Sequence, residues 1–249
     1  MNQANKQAAK VALVTGAARR IGAAIVKQLH QANFKVIIHC HHSLLEAEGL
    51  AANLNQLRPE SAHVIQKELS KPEAAHELIT AAFAWSNRLD LLVNNASLFK
   101  RSNLAAFDEV NWENLFRVNV KAPYLLSLAA RPYLALTEGV IINLTDIHAE
   151  APLTDYTEYC QSKAALVMQT KALAREFAPE VRVNGVAPGA IAWPEQENAI
   201  SKEIQQQIIA KTPLKRHGDP VFIAQAVLAL AENPFITGQI LKVDGGRSI

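Results

Sequence analysis

Along almost the whole chain, short apolar runs rich in β-branched residues alternate with longer stretches in which apolar residues recur at helical spacing. VALVT, KVIIHC, AHVIQ, LDLLVNN, GVIINLT, VRVNGVA and ILKVDGG read as strands, each short and apolar enough to be buried on both faces. Between them IGAAIVKQLHQ, LLEAEGLAANLNQL, PEAAHELITAAFAWS, the stretch from NWENLF to ARPYLAL, TEYCQSKAALVMQTKALAREFA and DPVFIAQAVLALAE read as helices. This alternation predicts an α/β fold, a doubly wound parallel sheet with helices on both faces. No internal repeat, low-complexity tract or Pro/Gly-rich linker divides the chain, so residues 1–249 are read as a single domain. The irregular region is 188–213, where PGAIAWPEQEN leads into the polar, helix-like EIQQQIIAK. An excursion of that length after a strand either covers a substrate or is a solvent-exposed connection.

Composition removes several function classes. With 25 Lys and Arg against 23 Asp and Glu, and the basic residues scattered, the chain offers no footprint for nucleic acid or a membrane surface. Cys40 and Cys160 stand far apart with no CxxC, which predicts reduced thiols. The N-terminal MNQANKQAAK is charged but lacks the apolar stretch of a signal sequence, and no apolar run reaches the ~18 residues of a membrane span. A cytoplasmic protein is expected.

Candidate chemistry gathers at strand ends. The first strand runs into TGAARRIG, where Gly16 and Gly22 would let backbone amides and a helix N-terminus approach a pyrophosphate, or would simply make a tight turn. The second strand ends in HCHHS. An acid there would favour an unphosphorylated ribose; none occurs before Glu46, whereas His41, His42 and Ser43 can donate, with Arg19 and Arg20 nearby. That pattern predicts NADP(H). His39 and His41, on one strand face, also raise a metal reading, but beyond Cys40 no carboxylate or cysteine stands at ligand spacing, so no metal is expected. Polar residues closing a strand are the other reading of the cluster.

Tyr159 and Lys163 lie four apart at the start of a helix and share a face. At about 4 Å and an effective dielectric near 20, a lysine charge would act on the phenol by roughly 4 kcal/mol, enough to lower its pKa from about 10 toward neutrality. Asp146 stands thirteen residues before Tyr159. It either brings a carboxyl to the same pocket or caps the turn before HAEAP.

TGAARRIG, LLVNNAS, Asn119 in FRVNVKAP, YCQSK, VNGVAPGA and the terminal KVDGG occur in this order, and on them the chain resembles the short-chain dehydrogenase/reductase family over nearly its whole length. The resemblance implies a Rossmann-like sheet of seven parallel strands, a nicotinamide cofactor across the switch point and a homotetramer. It places Gly16, Arg19, Arg20, Ile21, Gly22, Asn95, Ala96, Thr145, Tyr159, Pro188, Gly189 and Ala190 against the cofactor, Glu68 and Leu69 beside its adenine, and Lys163 on its nicotinamide ribose. Asn119, on its own a solvated helix residue, becomes by resemblance a helix-breaking relay toward Lys163 through water.

Two departures from the family pattern carry further meaning. Arg20 stands where the family's loop usually has its middle glycine, and Asp146 where it has its catalytic serine. With HCHHS and NNASLF, these residues resemble the pteridine reductases, a branch of that family. That resemblance implies that Arg20 touches cofactor phosphate and pterin, that Ser97 contacts both ligands, and that Phe99 stacks on a pterin whose other face meets the nicotinamide. Phe99 also reads as plain core, and Trp193 in the excursion either closes over substrate or packs. The expected activity is NADPH-dependent reduction of pterins, biopterin or dihydropterin to tetrahydropterin, with folates as further candidates. A C=N bond needs a proton at nitrogen, which a carboxyl supplies better than a serine hydroxyl. The competing readings are a carbonyl reductase acting on 3-oxoacyl thioesters and a non-catalytic NADP(H)-sensing protein, against which the intact Tyr159, Lys163 and Asn119 argue.

Overall fold

The computed structural model describes residues 9–194 and 198–249, so most of MNQANKQAAK and the EQE of PGAIAWPEQEN lie outside the described residues. Seven strands, β1 (Val11–Val14), β2 (Lys35–Cys40), β3 (Ala62–Gln66), β4 (Leu91–Asn94), β5 (Val140–Leu144), β6 (Arg182–Pro188) and β7 (Ile240–Val243), form one sheet in the order β3-β2-β1-β4-β5-β6-β7. Every neighbouring pair is parallel. After β3 the chain returns to the other side of β1, so the ends of β1 and β4 flank the switch point, where ligands bind in open α/β sheets.

The helices are α1 (Arg20–Gln31), α2 (Leu44–Leu57), α3 (Pro72–Ser86), α4 (Glu109–Phe116), α5 (Ala122–Ala135), α6 (Thr157–Phe177), α7 (Lys202–Lys211) and α8 (Pro220–Glu232). They cover both faces because strand residues alternate. Ala12 and Val14 join the layer holding Ile25, Leu50 and Val227, whereas Val11 and Leu13 join the layer holding Leu78, Leu126 and Phe177. Fully buried side chains such as Leu13 and Ile25 contribute about 1.5–3 kcal/mol each.

Two expectations change. β3 and β7 are not buried on both faces: as edge strands they leave residues such as Gln66 and Leu241 exposed. The single helix expected from NWENLF to ARPYLAL is interrupted by a π-helical turn at Arg117–Lys121. Pro123 has no N–H to give to the Asn119 carbonyl, so the i to i−4 ladder cannot run through this point and the turn widens. The excursion contains α7, capped by the Ser201 hydroxyl on the Ile204 amide at 3.4 Å. No helix among the described residues is long and apolar enough to cross a membrane.

Candidate active site

At the switch point the backbone is packed too closely for side chains. The Thr15 hydroxyl accepts the Asn95 and Ala96 amides, both at 3.0 Å, and Asn95 Nδ2 donates to the carbonyls of Thr15 (2.8 Å) and Gly16 (2.9 Å). Gly16 has φ +60, and a Cβ there would lie 2.9 Å from Ala96 Cα; a Cβ on Gly22 would lie 2.5 Å from the Gly16 carbonyl. The loop therefore offers bare backbone beneath the N-terminus of α1, the surface a pyrophosphate requires, and the residues fit a dinucleotide. Arg20 adopts φ +54, in the left-handed region where glycine is at ease, at a cost of order 1–2 kcal/mol. Its guanidinium donates to the carbonyls of Ala192 (3.1 Å) and Trp193 (2.7 Å), linking the glycine loop to the excursion. Arg19 pairs with Glu46 at 3.8 Å on the surface, an interaction worth little. Ile21 packs beside the core next to Gly22.

The far end of this cleft is lined by β2 and β3. The rings of His41 and His42 lie with centroids 3.5 Å apart on the exposed rim, followed by Ser43 at the start of α2. Glu68 follows β3, its carboxyl held below the usual range by a hydrogen bond from Ser70 and by the charges of His41, Lys71 and His42. Leu69 packs against the α3 side of the core. His39 parts company with His41: it is 2% exposed and both ring nitrogens are engaged, with the Gly16 amide (3.2 Å) and the Lys67 carbonyl (2.9 Å). Among the described residues no three His, Cys, Asp or Glu side chains gather as a metal site.

The catalytic candidates converge where β5 meets α6. Tyr159 donates its phenol proton to Asp146 Oδ2 at 2.7 Å, while Asp146 Oδ1 accepts the His148 amide at 2.8 Å, capping the 3-10 turn Ile147–Ala149. Both readings of Asp146 thus hold at once, one oxygen per role. Lys163, one turn along the same face, sends its ammonium to the Leu144 carbonyl at 2.9 Å and lies 5.7 Å from the Tyr159 ring centre. The expectation that Lys163 lowers the Tyr159 pKa is overturned. The phenol is pushed well above 10, first by burial and then by the Asp146 charge that accepts its hydrogen bond. Burial also lowers Lys163 to about 8, against an upward pull from Asp146.

Asn119 is not solvated; it is 1% exposed in the π turn. Its Oδ1 accepts the Leu98 amide (2.8 Å) and the Ser97 hydroxyl (3.1 Å), and its Nδ2 donates to the Leu98 carbonyl (3.0 Å) and the Ser162 hydroxyl (3.0 Å). The side chain clamps the Ser97–Leu98 segment to α6 and makes no bond to Lys163. Phe99 then stacks on Tyr156 (4.3 Å, 13°) and meets Tyr159 edge-on (4.8 Å, 88°). Tyr156 is joined to this wall by Asn198, which accepts from its hydroxyl (3.2 Å) and donates to the Phe99 carbonyl (2.9 Å). Trp193 packs on the His217 ring at 4.2 Å, with its own carbonyl held by Arg20.

Deeper supports come from Thr145, which is 3% exposed and donates to the Val186 carbonyl through both its amide (2.8 Å) and its hydroxyl (3.0 Å). Pro188 ends β6, the Gly189 amide bonds Val243 (3.1 Å), and the Ala190 carbonyl accepts the Gly218 amide (3.0 Å). Sequence reasoning missed Thr15, Tyr156, Ser162 and Asn198. Tyr156 had a usable signal, since it is an aromatic three residues before Tyr159 at the entry to the same helix. Asn198 had none, because its contact spans the excursion.

A family model described as Enoyl-(Acyl carrier protein) reductase matches residues 16–248. Pteridine reductase 1 of Leishmania tarentolae is 34% identical over 283 residues, spanning 97% of this chain and 97% of that protein.

 The 3-oxoacyl-[acyl-carrier-protein] reductase FabG of Staphylococcus epidermidis is 34% identical over 241 residues, 95% of this chain and 98% of that protein. Among solved structures, FolM alternative dihydrofolate reductase 1 from Brucella suis, in complex with NADP, superposes with a TM-score of 0.89 at 35% identity, covering 96% of this chain and 95% of that one.

Proposed function

The chain belongs to the short-chain dehydrogenase/reductase family of NADP-linked oxidoreductases, and from that premise we propose that it reduces pterins, with folates as a second substrate class, at a ring C=N bond. The observation that carries this reading is the 2.7 Å hydrogen bond from the Tyr159 phenol to Asp146. A ketone reductase needs a neutral donor to its carbonyl oxygen as that oxygen becomes an alkoxide. A pterin needs a proton delivered to nitrogen, and a carboxyl that exchanges protons with water suits that task. Asp146 is only half-buried, whereas Tyr159 is 5% exposed, so the carboxyl can take a proton from solvent and hand it to the phenol.

NADPH, when bound, supplies the hydride. The chain's own groups do the rest. Gly16 and Gly22 admit the cofactor backbone, and His41, His42 and Ser43 present donors where a 2′-phosphate would lie. Lys163 sits beneath the phenol and offsets negative charge left on Tyr159 as its proton departs. Phe99 and Tyr156 form an aromatic wall beside the phenol, suited to a flat heterocycle. Arg20, spanning from the glycine loop to Trp193, would present its guanidinium to cofactor phosphate and pterin.

The relatives divide between pteridine and 3-oxoacyl reduction at the same 34% identity, so the reading rests on Asp146 and is tested there. Asp146→Ser restores the hydroxyl usual in the family and removes the ionisable group, leaving one oxygen where Asp146 has two, on the Tyr159 phenol and the His148 amide. Dihydropterin turnover should fall at least ~100-fold, as losses of a general acid do, and its pH dependence should flatten. Reduction of an acetoacetyl thioester should hold or improve. Unchanged pterin turnover with an unchanged pH profile would make Asp146 a turn cap and nothing more.

A further inference from the structure

His39 is the buried titratable group that the chemistry above leaves unused, and its two bonds fix its state. The Gly16 amide can only donate, so Nδ1 must be bare; the Lys67 carbonyl can only accept, so Nε2 must carry the hydrogen. We propose that His39, as this neutral tautomer, is a positioning residue for the cofactor: one imidazole aims the Gly16 peptide and ties the glycine loop to the loop after β3.

The connections are specific. The side chain of His39 takes the Gly16 amide at 3.2 Å and its main-chain carbonyl takes the Ala17 amide at 2.9 Å. The first two amides of the loop are thereby committed, and those left to approach a pyrophosphate lie further along, toward the N-terminus of α1. Gly16 is held at φ +60 with no room for a Cβ against Ala96, so a turned peptide here would move the loop as a unit. On the other side, the Lys67 carbonyl bonded by Nε2 and the Lys67 amide bonded to Cys40 (3.0 Å) lead directly into Glu68. Burial keeps the ring neutral, lowering its pKa to about 4; the Lys67 carbonyl pulls upward and the neighbouring His41 charge downward. The inference concerns the NADP site and holds whichever substrate the enzyme reduces.

Three variants separate positioning from space-filling. In His39→Asn, Oδ1 can replace Nδ1 as acceptor for Gly16 while the link to Lys67 is lost. In His39→Gln, the amide nitrogen can replace Nε2 toward Lys67 while the acceptor for Gly16 is lost. His39→Leu loses both. The readouts are NADP+ dissociation constants by calorimetry without substrate, amide hydrogen exchange at Gly16 in cofactor-free protein, and melting temperature. His39→Gln and His39→Leu should weaken NADP+ binding about tenfold, the scale of one lost buried hydrogen bond, and should speed Gly16 exchange. His39→Asn should restore most of the affinity and the protection. In all three, kcat at saturating NADPH should change much less than KM for NADPH. If Asn and Gln weaken binding equally, or affinity merely follows melting temperature across the series, or His39→Leu binds NADP+ normally, the proposal is overturned. Should His39→Leu fail to fold, the contrast between Asn and Gln decides alone.

Discussion

Replacing Lys163 with methionine should abolish a pH-dependent part of the protein's stability. Lys163 is 3% exposed, and burial lowers its pKa from 10.5 to about 8. Between those values the unfolded chain holds a proton that the folded chain has released, so unfolding becomes harder as pH rises, by at most ~1.36 kcal/mol per pH unit. The sign is that of a lowered amine pKa: the penalty for burying the charge is present below pH 8 and disappears as pH approaches the unfolded value of 10.5. Tyr159 acts in the opposite sense above its ordinary pKa of 10, because the fold keeps its proton when the unfolded chain loses it. The useful window therefore runs from about pH 8 to 9.5, where Lys163 alone should contribute about 1.5 kcal/mol of rising stability. Cys40, whose thiol is pushed up by burial, lowers stability across the same range, but it is common to both proteins. Urea unfolding of wild type and Lys163→Met, followed by tryptophan fluorescence at half-unit pH steps, gives the difference directly. The wild type should gain on the variant by about 1.5 kcal/mol across the window. Parallel curves would refute the assignment of a buried, easily deprotonated lysine.

Two further perturbations address the pocket. Tyr159→Phe keeps the ring packed against Phe99 but removes the proton held at 2.7 Å from Asp146; single-turnover reduction should slow by ~100-fold or more with NADPH affinity preserved, and near-normal turnover would place the proton elsewhere. Phe99→Ala removes the ring between Tyr156 and Tyr159; pterin binding should weaken by about 0.5–1.5 kcal/mol beyond the lost contact area, whereas a matching loss of NADPH affinity or of folding would mark Phe99 as core.

The strands and most helices were legible because their signals are local. LLEAEGLAANLNQL and PEAAHELITAAFAWS correspond to α2 and α3 as observed, since an apolar stripe, and at α3 a leading Pro72, define a helix without reference to the rest of the fold. The π turn at Arg117–Lys121 was not legible, although Pro123 stood in plain view, because proline equally permits the first turn of a new helix. In the site, the spacing of Tyr159 and Lys163 gave their shared face but not their energetics. The sign of the Tyr159 shift depends on its burial and on which charge accepts its hydrogen bond, and the Asp146 carboxylate arrives from the end of β5 rather than from α6. His39 shows the same limit: its alternation with His41 predicted a common face, but only the parallel neighbours β1 and β3 determine that its ring is buried between two loops.

The central claim is that the Asp146–Tyr159 pair serves a C=N bond. NADPH oxidation by the wild-type enzyme, followed by absorbance as initial rates with dihydrobiopterin, dihydrofolate and an acetoacetyl thioester in parallel, tests it most directly. kcat/KM for at least one dihydropteridine should exceed that for the thioester by about 100-fold or more, a difference of ~2.7 kcal/mol in transition-state stabilisation. Efficient reduction of the thioester with no turnover of either dihydropteridine would contradict it.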